Sequence, residues 1–522
     1  MASVTERAGA QSSGWGIALF VIVIGAFMSI LDSSIVNIAI PTIETQFNIN
    51  TLTAEWVVTI YLLALGVVVP LSAWLGEKYG LKRVYLFSLI VFTAGSALCG
   101  LSWDVTSLTV FRVIQALGGG LIMPTTMSLV YRIVPRDRIG TAMGFWGLAL
   151  ITAPAIGPTL GGYLVEYVNW RLIFYVNVPV GIFGILAAMA TLPEFPGHQK
   201  VVGLDWGGIA TSASGLFMLL LALSEGATWG WTSEGIVLLL VASGFALVLF
   251  IYLELTAEHP LLDLRVFGIG SFTITNVLQL LVAVGMYAGV FYVPLYLQTV
   301  IGYGALETGL LMMPAALVTA LFMPIAGRLY DRIGARVPAF IGLLLMAYGT
   351  YLLSRLSMNT PTNVIIEWLV VRSIGMGLAM MPLTTAGMSA IPTPKIGAAS
   401  SLNNIVQRVA GSFGLAVLTS LLTDRIATHT SNLAAAYTPG ASGAGITQEL
   451  NLFASHAGMA LSQAGQVSAT YLNGLIGQQA YTLGIDDIFV ITALVSLVGA
   501  ALALFVKTYR TQAGGPPAAP TE

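Results

Sequence analysis

Charged side chains are scarce in this sequence. Asp, Glu, Lys and Arg make up 8% of its 522 residues, where a soluble domain carries about 25%. A chain so poor in charge reads as an integral membrane protein. Its formal net charge of −2 excludes a basic surface for nucleic acid. Cysteine is nearly absent: Cys99 stands alone, so no internal disulfide forms, and no Cys/His cluster is present to hold a metal. The four histidines (His198, His259, His429 and His456) fall in loops between apolar runs. A proton crossing the membrane would therefore ride on a carboxylate. None of the five lysines follows a glycine, so the GxxxxGK[ST] loop of an ATP-driven pump is missing. No HExxH or other convergent catalytic set appears either, so neither an enzyme nor a bound metal or cofactor is expected.

What the chain has in abundance is apolar sequence, 57% of the total. It divides into fourteen spans, near 15–40, 54–75, 84–102, 107–131, 139–165, 171–192, 204–225, 234–255, 270–298, 305–326, 337–356, 362–385, 396–422 and 485–506. Backbone groups in lipid must be satisfied within their own segment, so each span is expected to be helical. The first run is long enough to stay in the membrane, so residues 1–14 do not read as a cleavable leader. Fifteen of the 21 basic residues fall in loops on the side of the N-terminus. Only Arg171, Arg355 and Arg425 fall opposite, which predicts cytoplasmic termini.

An internal repeat divides the chain. GLIMPTT from Gly120 is answered by GLAMMPLTT from Gly377, RIGTA from Arg138 by KIGAA from Lys395, and AWLGEKYGLKR from Ala73 by GRLYDRIGAR from Gly327. The offset stays near 254–258 residues, so spans 1–6 map onto spans 9–14. Parallel six-helix repeats are a transporter architecture with the path between the halves. The expected domains are a tail (1–14), a six-helix bundle (15–195), a two-helix linker (196–268), a second bundle (269–508) and a tail (509–522). The second bundle would carry a long external loop near 423–484, with an amphipathic helix to cap the path or dock a partner.

Asp32 is the residue that most needs explaining, because it lies well inside the first span. A carboxylate there costs a few kcal/mol to insert and marks a functional site by default. Burial disfavours a charged carboxylate, so this group is suited to taking up and releasing a proton. The plain alternative is a tolerated polar residue solvated by Ser33, Ser34 and Asn37. Pro41 aligns with Pro294, which sets Asp32 opposite Gly285, so the second half has no matching acid. Arg112, with Gln115 after it, is a permanent intramembrane charge in need of a partner. It is either that partner to Asp32 or structural glue. In the second half, Arg408 with Asn404 is expected at the polar interior. Glu367 is a second candidate for proton coupling, although it lies near enough to the outer face to snorkel. Met123, Trp146, Tyr287, Tyr292 and Met380 belong to a set of polarizable and aromatic residues suited to varied lipophilic guests. With Asn37, Gln115, Asn404 and Arg408 they form the expected substrate cavity.

Taken in order, LDSSIVNIAIP from Leu31, RVIQALGGG from Arg112, APAIGPTLGG from Ala153, WRLIFYVNVPVG from Trp170, HPLLDLRVF from His259, YVPLYLQ from Tyr292 and Gly327–Arg336 resemble the major facilitator superfamily. The resemblance is to its fourteen-helix drug:proton antiporters of the EmrB/QacA type, and GQQAYTLGIDDIF from Gly477 is similar to the EmrB branch. It implies an all-α polytopic fold of two six-helix bundles plus two central helices, and a role for Arg112 in proton coupling. It also identifies Pro154, Gly157, Pro158, Gly161 and Gly162 as the antiporter signature, whose glycines allow close helix approach. Glu77, Gly80, Lys82 and Arg83, with their repeat Asp331, Arg332, Gly334 and Arg336, are expected to form a cytoplasmic gate. The first copy departs from the family pattern at Ala73, Glu77 and Lys78. Both copies are also open to a purely topological reading.

The expected function is proton-coupled efflux of lipophilic and cationic drugs and toxic compounds from the bacterial inner membrane. Export of a native lipid or metabolite is one alternative, and a non-transporting membrane receptor is another. Expected partners are small lipophilic substrates, protons, membrane lipids and, in a double-membraned bacterium, a periplasmic adaptor protein.

Overall fold

A computed structural model describes residues 2–195, 197, 205–258, 260–436 and 461–507. Among the described residues there is no strand, and fourteen helices are long and apolar enough to cross a membrane. The first six are α1 (Trp15–Phe47), α2 (Thr51–Val68), α3 (Leu81–Gly100), α4 (Val105–Ile133), α5 (Arg136–Tyr167) and α6 (Leu172–Thr191). A hairpin follows, α7 (Trp206–Trp229) and α8 (Glu234–Thr256). The last six are α9 (Gly270–Thr299), α10 (Leu306–Ile333), α11 (Arg336–Leu353), α12 (Thr362–Ser389), α13 (Thr393–Ala435) and α14 (Thr470–Ala503). Helices α1–α6 form one bundle and α9–α14 a second, while α7 packs against α2 of one and α13 of the other.

Local chemistry sets where these helices start and bend. Asp104 and Ser107 form a capping box at the start of α4, and Asn50 caps α2 by accepting from Thr53 N at 2.8 Å. Pro70 interrupts α2, which resumes as a short helix over Leu71–Tyr79. Gly80 (φ 88°) and Gly334 (φ 82°) end the corresponding helices of the two repeats in conformations that suit glycine. Pro41 and Pro294 also correspond. Each removes a backbone donor and crowds the preceding turn, but the two halves relax oppositely. The first tightens into a 3₁₀ turn, Val36–Ala39, and the second widens into a π turn, Ala288–Tyr292.

The expected external loop at 423–484 needs correction. Helix α13 belongs to an unbroken helix that runs to Ala436, and α14 to one that begins at Leu461. Residues 437–460 lie outside the described residues. Hydropathy falls near residue 423, but the Ala-rich segment that follows keeps its helix propensity, so the helix outlasts its membrane-spanning part. The expected amphipathic run, Tyr471–Tyr481, is part of α14. The carboxylate of Asp487 on α14 meets His429 at 3.0 Å and Arg425 at 3.7 Å, both on α13.

The two bundles close on each other at one end only. This is the end that holds the start of α1, the end of α14 and most of the described basic loops, called the basic end below. There Ser72 and Ser401 hydroxyls meet at 2.7 Å, and Ser400 donates to the Pro124 carbonyl at 2.7 Å. Helices α5 and α10 touch backbone to backbone: a Cβ on Gly144 would lie 2.6 Å from the Met323 carbonyl oxygen. Apolar packing follows the same division. One buried cluster joins both bundles and includes Met127, Ile139 and Trp146 with Met323, Met381 and Ile396. Toward the other end it splits into a cluster around Tyr292 and Phe489 and another around Ile35 and Trp170. The molecule is therefore sealed at the basic end. Gly144→Val should overpack this seam, at a cost of about 1–3 kcal/mol. Spin labels on the basic ends of α5 and α10 should then report a longer distance than in the parent; an unchanged distance would show that the seam does not set the closure.

Candidate functional site

The first half of α1 runs straight to Asp32, and the 3₁₀ turn follows one residue beyond Ile35. The Asp32 side chain is fully buried and points into the first bundle. Its Oδ2 accepts from Arg112 Nη1 at 2.5 Å. Its Oδ1 accepts from Gln115 Nε2 at 2.8 Å and from Asn177 Nδ2 at 2.9 Å. Every partner of Asp32 is a donor, the arrangement an ionised carboxylate requires. The three come from α4 and α6, not from its neighbours in sequence. Ser33 and Ser34 donate to the carbonyls of Ile30 and Leu31 instead, which removes the reading that they solvate Asp32.

Arg112 is also fully buried. Besides Asp32 it donates from Nη1 to Gln115 Oε1 at 2.8 Å and from Nε to the Val57 carbonyl at 3.4 Å. Its guanidinium lies 3.7 Å from the ring centroid of Tyr61, a cation–π contact. Asn177 also donates to Ser96 Oγ at 3.1 Å, and Ser96 donates to the Phe174 carbonyl at 2.8 Å. Side chains from α3, α4 and α6, with ring and carbonyl groups of α2, thus enclose one carboxylate. Small residues permit this. A Cβ on Gly95 would fall 2.6 Å from Gln115 Cα, so α3 must lie directly against α4.

A cavity of about 280 Å³ lies between the bundles. Ser29, Ile30 and Ser33 of α1 line it, one helix face round from Asp32. Met123, Tyr287, Met380, Asn404 and Arg408, expected there from sequence, are among its walls, joined by Gln279, Thr384 and Gln407. The other expected members lie elsewhere. Gln115 belongs to the Asp32 cluster. Asn37 falls within the re-phased 3₁₀ turn and is exposed. Trp146 is buried and donates to Thr126 Oγ1 at 3.1 Å. Tyr292 ends the π turn, and its hydroxyl meets that of Thr419 on α13 at 2.9 Å.

In the second bundle Arg372 stands where the repeat puts Gln115: Gly95 packs on the Gln115 backbone and Gly349 on that of Arg372. Arg372 donates to the carbonyl of Gly285, the position that replaces Asp32, and to that of Met286 at 3.1 Å. Glu367 is exposed and apart from both arginine sites. Five residues turn a helix by about 140°, so Arg372 facing α9 directs Glu367 elsewhere.

At the basic end Asp331 forms the latch. Its carboxylate accepts from Gly140 N at 2.8 Å, Thr141 N at 2.8 Å and Thr141 Oγ1 at 2.6 Å. An acid on α10 therefore caps the N-terminal turn of α5 across the bundle boundary. The other expected gate residues do different work. Lys82 ties α3 to the end of α6 through the Met189 carbonyl (3.0 Å) and Glu194 (3.3 Å). Arg336 donates to the Val506 carbonyl at 3.3 Å. Glu77, Arg83 and Arg332 are exposed, and Gly80 and Gly334 are the positive-φ helix ends. In the signature of α5, Gly157 and Gly161 pack on Ser34 and Ile35 of α1. Pro154 and Pro158 face outward, and Gly162 has open space where a Cβ would stand.

The sequence profile described as Major Facilitator Superfamily matches residues 22–415. The chain belongs to the major facilitator superfamily. It is 33% identical over 499 residues to the uncharacterized MFS-type transporter YhcA of Bacillus subtilis, covering 94% of this chain and 93% of that one. It is 30% identical over 502 residues to the multidrug export protein EmrB of Escherichia coli, covering 94% and 95%. Among solved structures it resembles the human organic anion transporter MFSD10, with a TM-score of 0.60 at 12% identity, over 94% of this chain and 99% of that one. The protein is thus a multi-pass membrane transporter of small molecules and not an enzyme, which removes the receptor alternative.

Within this facilitator, Asn177, Ser96 and Gln279 are the site residues that the sequence reading passed over. Each is a polar residue inside an apolar span, and that signal was available. Removing one member of a buried ion pair costs about 3–5 kcal/mol, because the other charge is left uncompensated. Arg112→Met should therefore lower the melting temperature more than the double change Asp32→Leu with Arg112→Met. The reverse order would show that the pair is not electrostatically coupled.

Proposed function

We propose that this transporter is a proton-coupled antiporter that exports lipophilic drugs and toxic compounds across a bacterial plasma membrane, with both termini in the cytoplasm. The observation that carries the proposal is the double use of one turn of α1. Asp32 faces the bundle core and is held by Arg112, Gln115 and Asn177, while Ser29 and Ser33 face the cavity. Protonation of Asp32 would cancel the charge that draws Arg112 to it and turn one of its acceptor sites into a donor. That repacks α1 against α4 and α6, and moves the cavity wall on the same helix.

On this reading the basic end is cytoplasmic and the sealed molecule faces outward. A proton from outside neutralises Asp32, the empty carrier turns inward, and substrate loading accompanies proton release to the cytoplasm. Opening inward requires Asp331 to leave the start of α5. Each inward proton supplies about 2.3 kcal/mol per 100 mV, and about 1.4 kcal/mol more per pH unit. Similarity to transporters named for multidrug export, EmrB of Escherichia coli among them, supports the outward direction of substrate. Asp32→Asn should abolish proton-coupled efflux while membrane insertion stays intact, read as substrate-dependent proton flux in reconstituted vesicles. Arg112→Lys keeps the charge but loses the fork geometry and should impair the same flux. Normal flux in Asp32→Asn vesicles would remove the proton role.

A further inference from the structure

The inter-bundle cavity carries a charge that the proton cycle leaves unused. Among its lining residues there is no Asp or Glu, and Arg408 is the one permanently charged group. The other intramembrane arginines are engaged, Arg112 by Asp32 and Arg372 by two backbone carbonyls. Each of them still leaves one guanidinium nitrogen buried without a partner, Arg112 Nη2 and Arg372 Nε, as Arg408 does at Nε. Arg408 differs in lining the cavity and in forming no ion pair with any described carboxylate. The groups that face it electrostatically are the phenols of Tyr61 and Tyr287. Gln279, on the same walls, also keeps an unpartnered amide nitrogen. Two unused donors, one of them cationic, thus border a space whose apolar walls include Leu62, Leu65, Met123, Val282, Met286 and Met380.

A cation removed from water is costly unless an anion or acceptor meets it. No described protein group does so here, and Asp32 is turned into the bundle core with three donors already. We propose that the cavity takes lipophilic organic anions, a substrate class that rests on the export reading above and narrows it. A carboxylate, sulfonate or phenolate head sits on Arg408 and Gln279, and the apolar body lies along the Leu and Met walls. Unbranched methionine side chains adapt to bodies of different shape, while the head is fixed by charge. A cationic drug meets the opposite situation: like charge at Arg408 and no carboxylate on the walls. Exchange of an outward anion for an inward proton also moves positive charge inward twice, so membrane voltage drives both halves of the cycle.

The test is equilibrium binding to the purified full-length protein, by calorimetry at pH 7, with two probes that share one apolar body. Naphthalene-2-sulfonate and (naphthalen-2-yl)methyl-trimethylammonium serve. Wild type should bind the sulfonate about tenfold or more tightly than the ammonium. Arg408→Gln should remove most of that preference, and Arg408→Lys should retain part of it. Equal or tighter binding of the ammonium by wild type overturns the proposal, as does unchanged sulfonate affinity in folded Arg408→Gln. The wild-type comparison needs no variant, so a misfolded substitution leaves the test intact. Binding requires no proton movement. Anion preference without substrate-dependent proton flux would sink antiport and spare this assignment; proton-coupled export of the ammonium probe without sulfonate binding would do the reverse.

Discussion

A carboxylate and a guanidinium buried together in an apolar bundle place a demand on every helix around them. Each ion loses several kcal/mol of hydration, and their attraction offsets that only when the remaining donors and acceptors are also met. The Asp32 site answers this with side chains from α3, α4 and α6 and a backbone carbonyl of α2. The glycines of α3 and α4 bring the helices close enough to supply them. Such a pair is a poor way to hold a bundle together, since well-packed apolar residues would serve as well. On the antiport reading its use lies in having two charge states. With the proton absent three donors converge on one acid; with the proton present the charge that draws Arg112 is gone.

The two halves share an ancestry of pattern but divide the work. Both first helices keep a proline, yet one relaxes through a 3₁₀ turn and the other through a π turn. Each bundle keeps a buried arginine on its fourth helix. In one it meets a carboxylate that can be neutralised. In the other it meets the carbonyl of Gly285, which cannot. On the antiport reading the ionisable switch therefore resides in the first bundle, and the second holds a fixed counterpart. The latches are unequal as well. Asp331 caps α5, whereas in the matching place α13 meets α2 through the Ser72–Ser401 contact. The departure from the family pattern at Ala73 and Glu77 is where the sequence already hinted at that inequality.

Much of this was legible before any coordinates. Spans in lipid leave a long apolar signature, so fourteen helices could be counted, and Arg112 stands out as either a partner to Asp32 or structural glue, a choice that only their contact decides. Other features depend on phase and depth, which composition does not carry. The 3₁₀ turn shifts Asn37 off the cavity face, and the π turn carries Tyr292 into the α9–α13 contact; neither is encoded by a prolonged hydrophobic period. Hydropathy marks where lipid ends and not where a helix ends, so the extensions of α13 and α14 were read as loop. Asn177 was overlooked because a motif that identifies a family does not say which of its residues faces inward.

The relation between the two charged places in the molecule follows from the same electrostatics. Asp32 is held by three donors within its own bundle and is turned away from the cavity. Arg408 Nε has no hydrogen-bond partner and the cavity walls carry no carboxylate, a deficit that on the anion proposal the occupant fills. Proton and substrate therefore need not compete for one group. They are linked mechanically through α1, whose Ser29 and Ser33 line the guest site on the turn that carries Asp32, and whose far side is gripped by Gly157 and Gly161 of α5. Because α5 also bears the Asp331 latch at its start, a shift of α1 reaches the seal along a single packed helix. On the antiport reading, a change of charge deep in one bundle is thereby transmitted to the closure between both.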